Sequence, residues 1–582
     1  DFQNWQLIRP GSWTSIETQD DKLYATNTNR RIYRIYQVND DIKEMFFYAS
    51  TPLDLRAVNN NLIVTTQDKI FVYDSNFNVV SQIGIDTAFN TLYTCATIDN
   101  DNIYIGTRDF GILKTQQINP TIFEEIHPDG PLMNTPFSIE VEPNGLWVTF
   151  GEYDLFYNPY PLNRRGFSHL SNNSWINNRY SEVLEAKCLN EIAVNPLNTK
   201  QVFISSFFSG LLEVNDDVPT VLYNETNSGL ESLILPNTPA YKDLRVGASM
   251  FDNNGLLWTI TSRINSPLKS FNPASNQWKS YSFTDIISDG LLGGNLGFAD
   301  LDIGIDGTKW IASYKYGLIG FNESGSNIKS IYKEDENMPT EYATALAVDK
   351  RNQVWIGTYR GLRVLYNTTN FFTDDNVQVE EIIIEEDGIA KELLFQQNIT
   401  DIEVDGSNNK WIGTDDSGLF YFSSDGQNTI FHFTEDNSPL PSNSVRDVSI
   451  DDTNGIVYIA TSRGLVSFKS GGSSPFEDLS SAYAYPNPVR PGFNIVDEKV
   501  KIKDISENVN IKITDIEGNL LAEAQSRTNQ RYSGYNLEID GGTAYWNGKN
   551  LANNLVASGV YLIMLSDLDT FETKVIKLMV VR

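Results

Sequence analysis

Histidine and cysteine are scarce in this sequence, with three and two copies among 582 residues. The histidines, His127, His169 and His432, are not spaced as a metal-binding pair, and none lies beside an evident nucleophile. A phosphate-binding loop, a dinucleotide fingerprint, a nucleophile elbow and a Cys-x-x-Cys pair are also missing. These absences argue against the familiar enzyme classes and predict no cofactor and no metal. Enzymes that use only carboxylates stay open, because 75 acidic residues are present.

Positive charge is also in short supply. The chain carries 44 Lys and Arg against 75 Asp and Glu, for a net charge of −31. Nucleic acid or a bare anionic membrane is repelled at long range, so we expect no nucleic-acid partner. An anionic ligand would need a local basic pocket.

Long apolar runs are absent, and none approaches the roughly 18 residues of a transmembrane helix. The chain starts at Asp1 without a signal peptide, which we expect of a processed, exported protein. Cys95 and Cys188 both lie beside apolar, strand-like residues. One disulfide and two buried free thiols are both open.

What the chain has in abundance is 28 Tyr, 31 Phe and 39 Gly, a composition that favours strands joined by tight turns. A short segment recurs within it, for example Trp-Ile-Gly-Thr at 355–358, a turn, and Gly-Leu at 361–362. Each copy follows an alternating apolar run and an Asp-led turn, and a less regular stretch closes the unit. Four short antiparallel strands per repeat are typical of a β-propeller blade. The predicted class is all-β.

The position of Trp355 recurs ten times along the chain. These anchors are Tyr24, Ile63, Tyr104, Trp147, Phe203, Trp258, Trp310, Trp355, Trp411 and Tyr458. Because propellers typically have 4–8 blades, ten anchors do not make one ring. We expect a first propeller at 1–120, incomplete in this chain, and a seven-bladed second propeller at 121–470. A split into five and five is the alternative.

A different module follows the repeats. Residues 471–481 have the Gly/Ser composition of a linker, and 482–582 contain Pro-rich entry residues and alternating strands. About a hundred residues of this kind predict a β-sandwich.

The motifs of this module are Tyr-Pro-Asn-Pro at 485–488, Asp515 to Gly518, Trp546 to Gly548 and Gly559-Val560-Tyr561. In combination they resemble the C-terminal signal domain of type IX secretion in Bacteroidetes-type bacteria. The signal residues so identified are Pro486, Asn487, Pro488, Asp515, Gly518, Trp546, Gly548, Gly559, Val560 and Tyr561. The repeats resemble two-component-regulator propellers. The whole resembles a surface component of that system's attachment complex, in which two seven-bladed propellers precede the signal domain. Ten anchors instead of fourteen imply that early blades are missing from the sequence.

The resemblance implies a non-enzymatic protein on the extracellular face of the outer membrane. It implies the sortase PorU and the barrel protein PorV as partners, binding of anionic lipopolysaccharide, and its presentation to PorU for cargo anchoring. One alternative is a secreted type IX cargo propeller that acts as an adhesin or glycan binder. A second is a carboxylate-based polysaccharide-degrading enzyme.

The turn after each Trp strand is the predicted ligand face, since it lies at the same propeller mouth as the blade-to-blade loops. Candidate residues are Arg108, Tyr314, Lys315, Tyr316, Tyr359, Arg360, Asp415 and Arg463. Mixed Tyr and basic residues suit a glycan or an anionic saccharide, and an ordinary solvated turn is the alternative. The Asp-rich turns fit Asx turns better than calcium loops. Tyr545, Trp546 and Tyr561 fit a sandwich core better than a recognition surface.

Overall fold

The structure, a computed structural model, describes residues 7, 9–36, 41–87, 89, 91–143, 145–151, 153–386, 388–470 and 472–582. Its regular elements are strands, apart from two short 3₁₀ helices at Tyr180–Glu182 and Glu334–Glu336. The expectation of an all-β chain is confirmed. Within these ranges, no helix has the length and apolar character needed to cross a membrane. The chain forms two compact units, Asp1–Met133 and Asn134–Arg582.

The first unit contains three four-stranded antiparallel sheets, each with consecutive strands as neighbours. Their strands are β1 (Trp13–Gln19), β2 (Lys22–Asn27), β3 (Arg31–Tyr36) and β4 (Asp41–Phe47); β5 (Pro52–Val58), β6 (Asn61–Thr66), β7 (Lys69–Tyr73) and β8 (Val79–Gly84); and β9 (Tyr93–Asp99), β10 (Asn102–Thr107), β11 (Ile112–Gln116) and β12 (Glu124–Ile126). Apolar side chains between successive sheets form its core, as in propeller blades.

Seven more sheets of this kind begin the second unit. The first four have four strands each: β13 (Ile139–Glu142), β14 (Gly145–Thr149), β15 (Phe167–Ser171), β16 (Ser174–Asn178); β17 (Leu189–Val194), β18 (Gln201–Ser206), β19 (Gly210–Asn215), β20 (Val218–Tyr223); β21 (Val246–Phe251), β22 (Leu257–Thr261), β23 (Leu268–Asn272), β24 (Gln277–Tyr281); and β25 (Phe298–Ile303), β26 (Lys309–Ser313), β27 (Gly317–Asn322), β28 (Asn327–Ile331). The fifth has β29 (Ala343–Val348), β30 (Val354–Thr358) and β31 (Gly361–Leu365), and the hairpin β32 (Ile383–Glu386) and β33 (Ile389–Glu392) follows it. The last two are β34 (Ile399–Val404), β35 (Lys410–Thr414), β36 (Leu419–Phe422), β37 (Thr429–Phe433), and β38 (Val445–Asp451), β39 (Ile456–Thr461), β40 (Gly464–Lys469).

The seven sheets form a ring around a central channel. The first strand of each sheet lies beside the first strand of the next, and β38 returns to lie beside β13. Hydrogen bonds close the ring, because the Ile139 N–H donates to Asp447 Oδ2 (2.7 Å) and the Val141 N–H donates to Ser449 Oγ (3.0 Å).

Each of the ten sequence anchors lies in the second strand of its sheet. The Trp side chains among them are at most 2% exposed and pack between neighbouring sheets. The Asp-led turns are Asx turns: Asp349 Oδ1 accepts the N–H groups of Arg351 (2.9 Å) and Gln353 (3.0 Å). The carboxylates of these turns therefore bind backbone.

A buried ion pair joins the fifth and sixth sheets and explains the Lys before Trp411. Lys410 Nζ lies 3.0 Å from Asp349 Oδ2, and both side chains are fully buried. The ammonium also lies 4.4 Å from the centre of the Trp355 ring. Lys309 lies over Trp258 in the same way, at 3.7 Å. The repeated Asp, Trp and Lys thus form one contact between adjacent blades.

The C-terminal module is a sandwich of two antiparallel sheets, which confirms the expected architecture. Their strand orders are β41-β42-β46-β45 and β44-β43-β47-β48. The strands are β41 (Tyr483–Tyr485), β42 (Val500–Lys503), β43 (Val509–Asp515), β44 (Leu520–Gln525), β45 (Leu537–Asp540), β46 (Thr543–Trp546), β47 (Gly559–Asp567) and β48 (Thr573–Val580). Trp546 and Tyr561 are buried in the sandwich core, as expected, whereas Tyr545 is buried against Arg531, outside that core.

The signal motifs of the module have structural roles. Asn487 pairs with the last strand: its Nδ2 donates to the Lys577 carbonyl (2.7 Å) and its Oδ1 accepts the Met579 N–H (3.1 Å). Asp515 Oδ1 accepts two N–H groups of the following turn, in which Gly518 has a φ of +91° that favours glycine. Two further motif residues, Pro486 and Pro488, lie between β41 and β42. Gly548 follows β46, and Gly559 and Val560 begin β47.

The two cysteines form no disulfide. Cys95 is exposed and Cys188 is buried. The expectation of buried thiols therefore holds for Cys188 and is wrong for Cys95, because its position in β9 faces solvent. The domain limits expected from the sequence remain predictions.

Candidate functional site at the channel mouth

The turns after the second strands gather at one end of the ring, which we call the mouth. There the N–H of Tyr359 donates to the Tyr342 carbonyl (3.1 Å), just before β29 begins. The N–H of Asp415 donates in the same way to Asn398 (3.1 Å), and Ser462 donates to Ser444 (2.9 Å). Each such bond ties a turn to the entry of the first strand of the same sheet. The turns and the blade-to-blade loops therefore share the mouth.

The mouth holds seven of the eight predicted ligand-face residues. Tyr314 and Tyr359 flank Tyr342, with ring centres 4.8 and 6.0 Å from it. The Tyr316 hydroxyl donates to the Gly293 carbonyl (3.0 Å). The remaining four are Lys315, which is half-buried, and Arg360, Asp415 and Arg463, which are exposed.

The eighth residue, Arg108, belongs to the other compact unit. Its Nε lies 3.1 Å from Asp109 Oδ1, so its guanidinium is already paired. We therefore do not group Arg108 with the other seven.

Residues 153–166, between β14 and β15, extend across the mouth. Tyr157 is 2% exposed and contacts Tyr153, Tyr314 and Tyr342, with ring centres 4.9 to 6.1 Å apart. The Tyr342 hydroxyl donates to the Leu155 carbonyl (3.1 Å). We call 153–166 the mouth segment. Sequence reasoning missed it, although the long interval after the Trp147 strand and its three tyrosines and two prolines were visible signals.

A cavity of about 520 Å³ lies beside the mouth segment. Its walls include the aromatic residues Phe137, Tyr153, Tyr157, Tyr160 and Tyr342, and the acidic residues Asp154, Glu191, Asp300, Asp401, Asp415 and Asp447. Arg446 is the basic residue among those that line it. Of the predicted residues, Asp415 contributes to the wall. A concave site with several aromatic and converging polar groups is the usual form of a ligand pocket.

Seven carboxylates on first strands line the channel: Glu140, Glu191, Asp300, Asp302, Asp401, Glu403 and Asp447. Four of them, Glu191, Asp300, Asp401 and Asp447, also belong to the cavity wall. Spacing of two residues, as in Asp300 and Asp302, places both side chains on the same face of a strand. The spacing of these carboxylates was visible in the sequence, but nothing in the sequence showed which face of each strand would meet the channel.

Several of these carboxylates join adjacent blades. Asp300 Oδ2 accepts the Leu346 N–H (2.9 Å), Asp302 Oδ2 the Val348 N–H (2.6 Å) and Asp401 Oδ2 the Val448 N–H (2.8 Å). First strands of neighbouring sheets do not pair by backbone, so these side chains satisfy N–H groups that would otherwise lack a partner.

Burial and mutual repulsion shift the pKa values of the channel carboxylates. Burial, and then the charge of Asp447, raise the pKa of Glu140 to about 8. Burial raises the pKa of Asp302 to about 7 and that of Asp447 to about 6. Burial, followed by neighbouring carboxylates, raises the pKa values of Glu191 and Asp401 well above the usual range. The channel therefore holds protons at neutral pH.

The arrangement does not present a recognisable metal centre. In the part of the chain that the structure describes, no three His, Cys, Asp or Glu side chains are placed to share a metal ion.

No family model and no curated protein matches this sequence. Among solved structures, the chain is similar to PorZ, described as an essential bacterial surface component of the type IX secretion system of Porphyromonas gingivalis. That match has a TM-score of 0.64 and 23% identity, and covers 98% of this chain and 75% of PorZ. It agrees with the resemblance drawn from the repeats and the terminal motifs, and at this identity it shows the fold.

Two extracellular domains of proposed hybrid two-component systems from B. thetaiotaomicron are more distant. One has a TM-score of 0.41 and 13% identity, and covers 98% of this chain and 81% of its own. The other has a TM-score of 0.37 and 12% identity, and covers 97% and 78%.

Proposed function

We propose that this chain is a non-enzymatic surface component of a type IX secretion system, in the role that PorZ has. The observation that supports this most strongly is the PorZ-like fold over 98% of the chain. The proposal includes the extracellular face of the outer membrane as its location, and PorU and PorV as its partners.

The seating of the terminal module favours a machinery component over cargo. Ser407 Oγ of the ring donates to Asp540 Oδ1 of the module (2.7 Å), and Ser474 Oγ donates to Asp452 Oδ2 (2.6 Å). Ser473 pairs with Gly541, whose φ is +55° and where a Cβ would lie 2.1 Å from the Ser473 carbonyl oxygen. Such close backbone approach makes the module a continuation of the ring rather than a loosely tethered export tag.

An aromatic and basic cluster completes this interface. Arg531 pairs with Asp540 (2.9 Å), bonds the Ser470 carbonyl and lies 4.2 Å from the Tyr545 ring centre. Tyr532 packs edge-on against Phe431 of the ring, with centres 4.8 Å apart. Cleavage before the module would break these contacts, so we propose that the module is retained in the mature protein.

For ligand binding we propose that anionic lipopolysaccharide contacts the rim of the mouth. Arg360 and Arg463 are exposed there, and Tyr359 offers an aromatic face beside Arg360. Guanidinium groups bind phosphate and carboxylate well, and aromatic rings stack on sugars. The acidic channel repels an anion, which limits the contact to the rim and would leave the ligand accessible to PorU.

Two experiments test the cellular role. Deleting the gene is expected to reduce surface attachment of many type IX cargo proteins, whereas loss of one activity would identify cargo. Intact mass spectrometry of the protein from cells is expected to include residues 482–582. A mature form that ends before this module would contradict the proposal, and so would turnover of a polysaccharide abolished by one Asp or Glu substitution.

The rim is tested by binding of purified lipopolysaccharide to the double variant Arg360→Ala/Arg463→Ala. Loss of two charge-assisted contacts is expected to weaken binding at least tenfold. Arg527→Ala, an exposed arginine of the terminal module, is the matched control and is expected to bind normally. Equal binding by all three proteins would exclude the rim as the site.

A further inference from the structure

The cavity at the mouth has a chemistry opposite to that of an anion site. Six carboxylates line its wall, and the one basic residue there, Arg446, is exposed. An anionic sugar inside it would be repelled by the ionised carboxylates, so the cavity suits a different ligand.

The aromatic side of the cavity suits a cation as well. The ring centre of Tyr157 lies 4.9 Å from that of Tyr153 and 6.0 Å from that of Tyr342. The ring centre of Phe137 lies 5.2 Å from that of Tyr153. Aromatic faces attract ammonium and guanidinium groups, most strongly where water is excluded. Rings and carboxylates on facing walls are the combination that recognises an organic cation.

Two shielded oxygens at the cavity wall lack a partner. Asn398 Oδ1 and Thr400 Oγ1 are buried and accept no hydrogen bond in the structure. Both residues line the cavity. Buried acceptors without a donor are costly, so a ligand donor that reaches them on binding would gain these bonds.

We propose that this cavity binds a primary ammonium group carried by a ligand of amino-sugar or lysine side-chain size. A monosaccharide or an amino-acid side chain fits within about 520 Å³, with the ammonium toward Glu191, Asp401 and Asp447 and the carbon frame against the tyrosines. An ammonium donates three hydrogen bonds, which matches the surplus of acceptors. This site differs from the rim proposed for anionic lipopolysaccharide and does not depend on it.

Binding at this site is coupled to protons. The charged or titratable groups that face the channel and cavity are Glu140, Tyr153, Asp154, Tyr157, Tyr160, Glu191, Asp300, Asp302, Tyr342, Asp401, Glu403, Asp415, Arg446 and Asp447. Burial, and then the neighbouring carboxylates, raise the carboxyl pKa values, so an arriving ammonium displaces protons and binds more tightly as pH rises. Affinity is expected to fall about tenfold or more between about pH 8 and about pH 5.5.

The experiment is calorimetric titration of the full chain with glucosamine. N-acetylglucosamine and glucose serve as neutral probes of the same ring. The peptide Gly-Lys-Gly is compared with Gly-Gln-Gly in a second arm, which distinguishes a side-chain source of the ammonium from a sugar source. Binding of either cationic probe, with at least tenfold preference over its neutral analogue, is expected.

Glu191→Gln is the site variant, because glutamine keeps an oxygen for the Ser138 hydroxyl, which donates at 3.2 Å. Loss of one charge-assisted contact is expected to weaken binding about tenfold. Glu403→Gln is the matched control: the same change on the same channel, but outside the cavity wall. It is expected to change affinity less than threefold.

Three results would overturn the proposal. The first is equal binding of charged and neutral probes, and the second is an equal loss of affinity in the two Gln variants. The third is displacement of glucosamine by calcium, with a calcium affinity that Glu191→Gln abolishes, because the site would then be a metal site. The rim variant Arg360→Ala/Arg463→Ala is expected to bind glucosamine normally, so failure here and failure of lipopolysaccharide binding are separate results.

Discussion

Asp349→Ala is expected to destabilise the ring strongly, because it leaves a buried ammonium without its carboxylate. In the native structure Lys410 Nζ contacts Asp349 Oδ2 (3.0 Å) and the carbonyls of Asn408 (2.7 Å) and Ser424 (2.9 Å). Removing one partner of a fully buried pair costs about 3–5 kcal/mol. The free energy of unfolding is measured by urea titration with tryptophan fluorescence.

A second substitution tests the cause. Lys410→Met in the Asp349→Ala background removes the unpaired charge and is expected to recover about 1–3 kcal/mol. Asp216→Ala is the matched control, since Asp216 pairs with Lys200 at 2.6 Å but both side chains are largely exposed. It is expected to leave the urea midpoint unchanged.

The reasoning is refuted if Asp349→Ala costs less than about 1 kcal/mol, the range of an ordinary surface change. It is also refuted if Lys410→Met adds to the loss instead of reversing part of it. Either result would mean that packing around Trp355, rather than the ion pair, holds the two blades together.

Asp447→Ala removes the acceptor of the Ile139 N–H where the ring closes, so urea titration is expected to give a free energy of unfolding lower by about 1–3 kcal/mol. An unchanged free energy of unfolding would show that side-chain bonds do not close the ring. His169→Gln tests a pH effect: burial lowers the pKa of His169, but the hydrogen bonds that its ring donates to Glu142 and Asp217 outweigh burial and raise the pKa above 6.5. The stabilisation is therefore complete below pH 6.5 and lost as pH rises through the raised pKa, so the difference between native protein and variant should shrink on the alkaline side. Arg531→Met is expected to loosen the terminal module and speed proteolysis between 470 and 482; equal cleavage rates would show that this arginine does not hold the interface.

The repeat was predictable because its signals are local. Alternation, an Asp-led turn and a Trp strand specify a blade within about fifty residues, and all ten anchors lie in second strands. The Asp turns were interpreted correctly for the same reason, since an Asx turn involves only the next four residues.

The rim of the mouth was also predictable, because strands two and three of an antiparallel sheet must turn at a known end. Tyr359, Arg360 and Arg463 lie there. The cavity was not predictable in the same way: its walls come from residues 137, 191, 300 and 401, which are neighbours only after the ring closes.

The sequence by itself determined the blade, the sandwich and the motifs of the terminal module, because each is encoded in short-range periodicity and turn chemistry. Tertiary structure alone decided that five of the seven first strands turn their carboxylates into one channel, that the mouth segment crosses it, and that the terminal module is seated on the ring. The physical reason is distance along the chain: Asp447 meets Ile139 across 308 residues and Ser407 meets Asp540 across 133, and no local pattern records such contacts.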